Sequence, residues 1–218
     1  MTQVKPVSID GPRVAPAVGG EPASLVIFLH GYGSNGADLI GLAPYWRGAL
    51  PTTAFVAPNA PQPCPGAPGG YQWWSLADGG SPAAGAVQAA PVLDAFIDAE
   101  LARTGLAAGR VALVGFSQGT MMALHVGPRR EPALAGIIGY SGRLADEAGL
   151  AGARSKPPIL LVHGDADPMI PIAAFHQANA ALTRHGFTVE SHVSRGLAHS
   201  IDPAGLQLGG AFLRRVLG

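Results

Sequence analysis

Cysteine is almost missing from this chain: Cys64 is the only one in 218 residues. A lone thiol excludes an internal disulfide and fits a reducing compartment. Excess charge of either sign is missing too, since Lys+Arg and Asp+Glu balance at 14 each. That leaves no basic field for nucleic acid and no like-charge run for a membrane surface. No apolar run approaches the ~18 residues of a transmembrane helix, so no stable membrane insertion is expected. The N-terminal residues lack a basic segment followed by a long apolar one, which predicts a cytoplasmic protein. Glycine and proline are abundant, at 31 and 20, but fall between the apolar runs without a fixed period, which argues against a repeat architecture.

What is present is apolar: 48% of residues are hydrophobic and 13% charged, enough for a sizeable core in a single domain spanning residues 1–218. Residues 24–29 form a continuous apolar run bounded by turn residues, as expected for a strand buried on both faces. Further strands are expected at 53–57, 111–116, 134–141, 158–162 and 187–193. Helices are expected at about 37–50, 83–103, from 118 onward, 144–149, 172–185 and 203–217. Strand and helix alternate throughout, the pattern of an α/β fold with a mostly parallel central sheet and helices on both faces. Residues 59–83 are too rich in proline and glycine for a regular element, and loops of that length are usually functional or disordered.

Ligand sites in such sheets lie outside the carboxyl ends of the strands. The residues there are His30-Gly31-Tyr32-Gly33, Gly115-Phe116-Ser117-Gln118-Gly119, His163-Gly164-Asp165-Ala166-Asp167-Pro168 and Gly196-Leu197-Ala198-His199. The second is a Gly-x-Ser-x-Gly between an apolar run and a helical pattern. A strand feeding straight into a helix must turn sharply, with glycines giving room for their close approach and the serine at the tip. Composition alone nearly produces the five letters, so the strand–turn–helix context carries the weight.

A serine hydroxyl needs a base to take its proton, and an imidazole needs a carboxylate to hold its tautomer. Of the seven histidines, His30 and His163 come before the serine or the acid. His125, His176 and His185 fall within or at the end of helices, and His192 within a strand. His199 alone lies in a loop after a strand and after the acid. Asp165 and Asp167 both suit the acid by spacing. Asp167 precedes a proline, which favours an extended backbone projecting from the loop, whereas Asp165 suits turn hydrogen bonds. The tetrahedral intermediate also needs backbone N–H donors, for which Tyr32 and Gln118 stand in the right loops. A short apolar pocket is expected from Trp73, Trp74, Met121 and Leu197 with Tyr32. Trp73 and Trp74 could equally pack their loop onto the domain.

Together these four segments make the chain resemble the phospholipase/carboxylesterase family of small α/β-hydrolases, which includes acyl-protein thioesterases and bacterial carboxylesterases. The resemblance runs from about residue 24 to the end. It implies an α/β-hydrolase fold without a large lid domain and a serine carboxylesterase acting on short- to medium-chain acyl esters, with thioesters or lysophospholipids within reach. It implies no metal and no cofactor, and a monomer or homodimer acting on a small-molecule acyl ester. In that family the second aspartate of His-Gly-Asp-x-Asp-Pro is the acid, which falls on Asp167. The segment Trp73-Trp74-Ser75-Leu76 departs from the family's Trp-Phe-Asp-type loop, so its members' substrate preferences do not carry over. Two other readings compete: dienelactone-hydrolase-like chemistry, which would call for a cysteine at the elbow, and a non-catalytic small-molecule-binding protein on the same scaffold.

Overall fold

Side chains along the central strands sort by parity, and that parity builds two cores. In the computed structural model, which describes residues 8–76 and 80–218, strand β2 (Ser24–Leu29) is buried along its whole length. Leu25, Ile27 and Leu29 enter one apolar cluster, while Val26 and Phe28 enter the other. Alternate side chains of a strand point to opposite faces, so a continuous apolar run is what a doubly covered strand requires.

Seven strands form the main sheet. Before β2 comes a two-residue strand, β1 (Arg13–Val14), and after it β3 (Thr53–Val56). Later come β6 (Val111–Phe116), β7 (Gly136–Tyr140), β8 (Ile159–Gly164) and β9 (Val189–Ser194). Their order is β1-β3-β2-β6-β7-β8-β9, with every pairing parallel except β1 against β3. The chain steps outward from β2 to β3 and then crosses to β6 on β2's other side. The segments leaving β2 and β6 therefore diverge at a switch point, where a crevice opens above the strand ends.

One face is covered by α3 (Pro82–Thr104), α4 (Gln118–Val126) and α5 (Ile172–Arg184). The other is covered by α1 (Gly36–Leu39), α2 (Ala43–Arg47) and α6 (Pro203–Leu217). No helix among the described residues is long and apolar enough to cross a membrane.

Three local expectations are corrected. The helix expected over 37–50 is two short helices joined by a 3₁₀ turn at Ile40–Leu42. Pro44, at the start of α2, lacks the N–H that a continuous helix would use there. The expected helix at 144–149 is instead a 3₁₀ turn at Ala148–Gly152, and Asp146 Oδ1 accepts the Gly149 N–H just before it. Within 59–83, β4 (Gln62–Pro63) pairs antiparallel with β5 (Tyr71–Gln72). Short as it is, that ribbon closes the loop onto the post-β2 turn, where Gly33 N donates to Tyr71 O and Tyr71 N to Ser34 O.

Candidate active site

Ser117 sits between the end of β6 and the start of α4 with φ 54 and ψ −115. A positive φ on a residue with a Cβ is strained by about 1–3 kcal/mol and persists only where the surroundings hold it. Here they do. A Cβ on Gly119 would stand 1.8 Å from Leu29 O, and one on Gly115 would stand 2.4 Å from Gly119 O. The two glycines thus let α4 pack directly against the ends of β2 and β6. Ser117 N donates to Tyr140 O at 3.0 Å, fixing the turn to β7.

Asp167 lies in the loop after β8, 7% exposed. Its Oδ1 accepts the N–H groups of Met169 at 2.8 Å and Ile170 at 2.9 Å. Its Oδ2 accepts Nδ1–H of His199 at 2.7 Å. Burial pushes this carboxyl up, but the His199 hydrogen bond and the two backbone donors outweigh it and hold it below its ordinary value. Asp165 instead accepts the Gly196 N–H at 2.5 Å, the turn role its position after a glycine suggests.

With Nδ1 engaged, His199 keeps Nε2 for other partners. Its ring lies against Phe116, centroids 4.9 Å apart, which limits how it can swing. His199 and Ser117 line one cavity of about 290 Å³ together with Tyr32, Trp74, Leu76, Pro82, Gln118, Met121, Arg143, Met169, Ile170 and Pro171. Ser117 Oγ is not hydrogen-bonded to His199; such contacts are often long without substrate and tighten when it binds.

Tyr32 and Gln118 both line this cavity. Gln118 is the first residue of α4, so its N–H has no intrahelical acceptor. Gly31 brings the Tyr32 loop close, since a Cβ there would stand 3.2 Å from the Cβ of Ser117.

Of the pocket residues expected from sequence, Trp74 and Met121 line the cavity, while Trp73 and Leu197 do not. Trp73 is 1% exposed; its Nε1 donates to His30 O and its ring leans on the His30 imidazole. It is a core residue beneath the loop. Leu197 contributes its backbone instead: its carbonyl accepts the Ala166 N–H and leaves no room for a side chain at Gly164.

Three supporting side-chain roles are not visible in the sequence. The Gln118 side chain clamps the tryptophan loop, with Oε1 accepting Trp73 N–H and Nε2 donating to Trp74 O, both at 2.9 Å. His30, fully buried, donates Nδ1–H to Gly31 O and accepts Ala60 N–H at Nε2; burial lowers its pKa and keeps it a neutral brace. His163, buried, donates Nε2–H to Ile170 O at 2.8 Å and lies 3.4 Å from Asp167 Oδ2. The available signal for the last two was position: each ends or directly follows a central strand. Among the described residues, no three His, Cys, Asp or Glu side chains gather as a metal site would need.

The sequence pattern of the phospholipase/carboxylesterase family matches residues 13–217. The chain belongs to that family. Among its relatives, acyl-protein thioesterase 1 of Neurospora crassa is 31% identical over 210 residues, covering 87% of this chain and 84% of that protein. Esterase YpfH of Escherichia coli is 29% identical over 187 residues, covering 84% and 78%. The crystal structure of esterase PE8 superposes with a TM-score of 0.92 at 45% identity, covering 97% of this chain and all of that one. A carboxylesterase from Bacillus cereus, at 16% identity and TM-score 0.78, shares the fold. This member of the phospholipase/carboxylesterase family is a carboxylic ester hydrolase with an α/β-hydrolase fold.

Proposed function

We propose that the protein is a serine esterase that hydrolyses short- to medium-chain acyl esters through an acyl-enzyme on Ser117, with His199 as general base and acid and Asp167 as its carboxylate. The observation that carries this reading is the strained Ser117 turn opening into the same cavity as a His199 imidazole held by Asp167 at 2.7 Å. Attack of Ser117 Oγ on the acyl carbon passes its proton to His199 Nε2. The Asp167 carboxylate stabilises the imidazolium that forms. The tetrahedral oxyanion is received by the backbone N–H groups of Tyr32 and Gln118, where loss of one donor typically costs 10²–10³ in rate. His199 then protonates the departing alcohol or thiol, and water activated by the same imidazole releases the acid.

Thioesters fit the same chemistry, and one relative's name, acyl-protein thioesterase 1, supports including them. A cavity of about 290 Å³ favours compact acyl groups over long ones. The test is hydrolysis of p-nitrophenyl butyrate by the Ser117→Ala variant. Turnover is expected to fall by at least 10³-fold, and full retention of activity would overturn the proposal.

A further inference from the structure

Among the cavity's lining residues, one carries a charge that the chemistry above does not use. Arg143 sits in the loop after β7, exposed, with neither a hydrogen-bond nor an ion-pair partner among the described residues. Other arginines facing a carboxylate here are paired: Arg13 and Arg103 with Glu100, Arg129 with Asp146, Arg184 with Glu147. Arg143 is thus an unneutralised cation lining the cavity that holds Ser117 and His199.

Its place is fixed by the backbone beneath it. Ser141 adopts φ 45, its N–H donates to Val162 O at 2.9 Å, and its Oγ donates to Ser200 O at 2.9 Å, beside His199. Gly142 lies so close to Thr120 that an added Cβ would be 2.3 Å from the threonine Cβ. The residue that follows is therefore launched from a strained, packed turn tied to both the Ser117 helix and the His199 loop.

A second cavity of about 270 Å³ adjoins the first, and Arg143 and Pro82 line both. Its remaining wall comes from Leu144, Ala145, Glu147 and α5, where Glu147 is already paired with Arg184. Arg143 and Pro82 therefore stand where the two cavities share a wall.

Resting on the esterase reading above, we propose that Arg143 selects esters bearing a carboxylate several atoms from the scissile bond. Such a group would meet the guanidinium at the junction of the two cavities, leaving the ester carbonyl at Ser117. Guanidinium is suited to this, since its planar donor fork matches a carboxylate bidentately.

The experiment compares mono-(p-nitrophenyl) adipate and suberate with p-nitrophenyl hexanoate and octanoate, pairs that differ by carboxylate against methyl at the chain end. The readout is the anionic-to-neutral ratio of kcat/KM, after subtraction of uncatalysed hydrolysis. Because Arg143 is exposed, the expected loss of that ratio in Arg143→Gln is about fivefold, within the range of a solvent-accessible pair. Arg143→Lys is expected to retain most of it, and Arg143→Glu to lower it further. Raising salt from 0.05 to 0.5 M should shrink the wild-type ratio and leave that of Arg143→Gln unmoved. Equal ratios in wild type and Arg143→Gln would overturn the proposal. If both ester types also survived Ser117→Ala, the esterase reading itself would fail; Ser117-dependent hydrolysis with unchanged ratios would sink the Arg143 assignment alone. A mono-phosphorylated alkyl ester in the same assay tells whether the preference is for carboxylate or for any anion: a stronger preference for phosphate would contradict the carboxylate assignment.

Discussion

Two histidine–aspartate pairs occupy opposite ends of α4's neighbourhood, and they differ in every respect that chemistry needs. His199 Nδ1 donates to Asp167 at 2.7 Å, whereas His125 Nδ1 stands 3.8 Å from Asp146 and has no hydrogen-bond partner among the described residues. The reason lies in who else holds the carboxylate. Asp146 faces Arg129, whose Nη2 bonds its Oδ2 at 3.0 Å, so its charge is already neutralised. Asp167 is held by two backbone N–H groups and approached by His163, none of which carries a fixed positive charge. Its negative charge remains available to an imidazolium. Burial and the Arg129 charge push the His125 pKa down to about 4, against a weaker pull upward from Asp146. The proposed base is thus the histidine whose aspartate no arginine has taken and which lines the cavity.

The largest expected effects separate the pairs by activity. Asp167→Asn and His199→Ala should each lower kcat/KM for p-nitrophenyl butyrate by about 10³–10⁴-fold, the range for removing one member of a serine–histidine–carboxylate unit. Asp146→Asn should change it by less than about threefold. Steady-state kinetics with urea melts on the same preparations checks both, and a comparable loss in Asp146→Asn would break the contrast.

Stability against pH sharpens it next. His125 binds a proton more readily unfolded, near 6.5, than folded, near 4. Its neutral burial therefore favours folding above pH 6.5, and that contribution drains away as pH falls toward 4. At about 1.4 kcal/mol per pH unit the loss reaches up to about 3 kcal/mol. His125→Leu should remove this part of the slope in denaturant melts between pH 7 and 4. Asp167 loses its contribution in the same direction but in a lower pH window. Its folded pKa is depressed, so its contribution is complete above the unfolded value of 3.8 and is lost only as pH falls through the lower folded one. A His125→Leu profile parallel to wild type from pH 6.5 to 4 would contradict the assignment.

The smallest effect tests the cause. Arg129→Met removes the cation that competes for Asp146, and the His125 pKa, followed by NMR, should rise from about 4 toward its ordinary 6.5. No movement would mean that burial alone sets it.

The same contrast marks what was legible beforehand. Chain order and strand ends separated His199 from His125, because one follows a strand and the other rides inside a helix. The parallel sheet was equally readable, since runs such as Leu25–Leu29 are buried on both faces. Trp73 and Trp74 were not separable: adjacent identical side chains leave the backbone in different directions, and only the Gln118 clamp and the His30 carbonyl decide which one faces the cavity. Leu197 contributes a carbonyl where sequence suggests a side chain, a difference that composition and spacing do not carry. Arg143 belongs to no motif, and its exposure at the cavity rim follows from a packed turn that only three dimensions reveal.

Identifying the residue that carries the acyl group tests the account most directly. A fluorophosphonate probe, followed by peptide mass spectrometry, should leave a single adduct on Ser117. Labelling should be abolished in Ser117→Ala, slowed by orders of magnitude in His199→Ala and Asp167→Asn, and unaltered in His125→Leu. An adduct on another residue, or a labelling rate indifferent to His199 and Asp167, would contradict it.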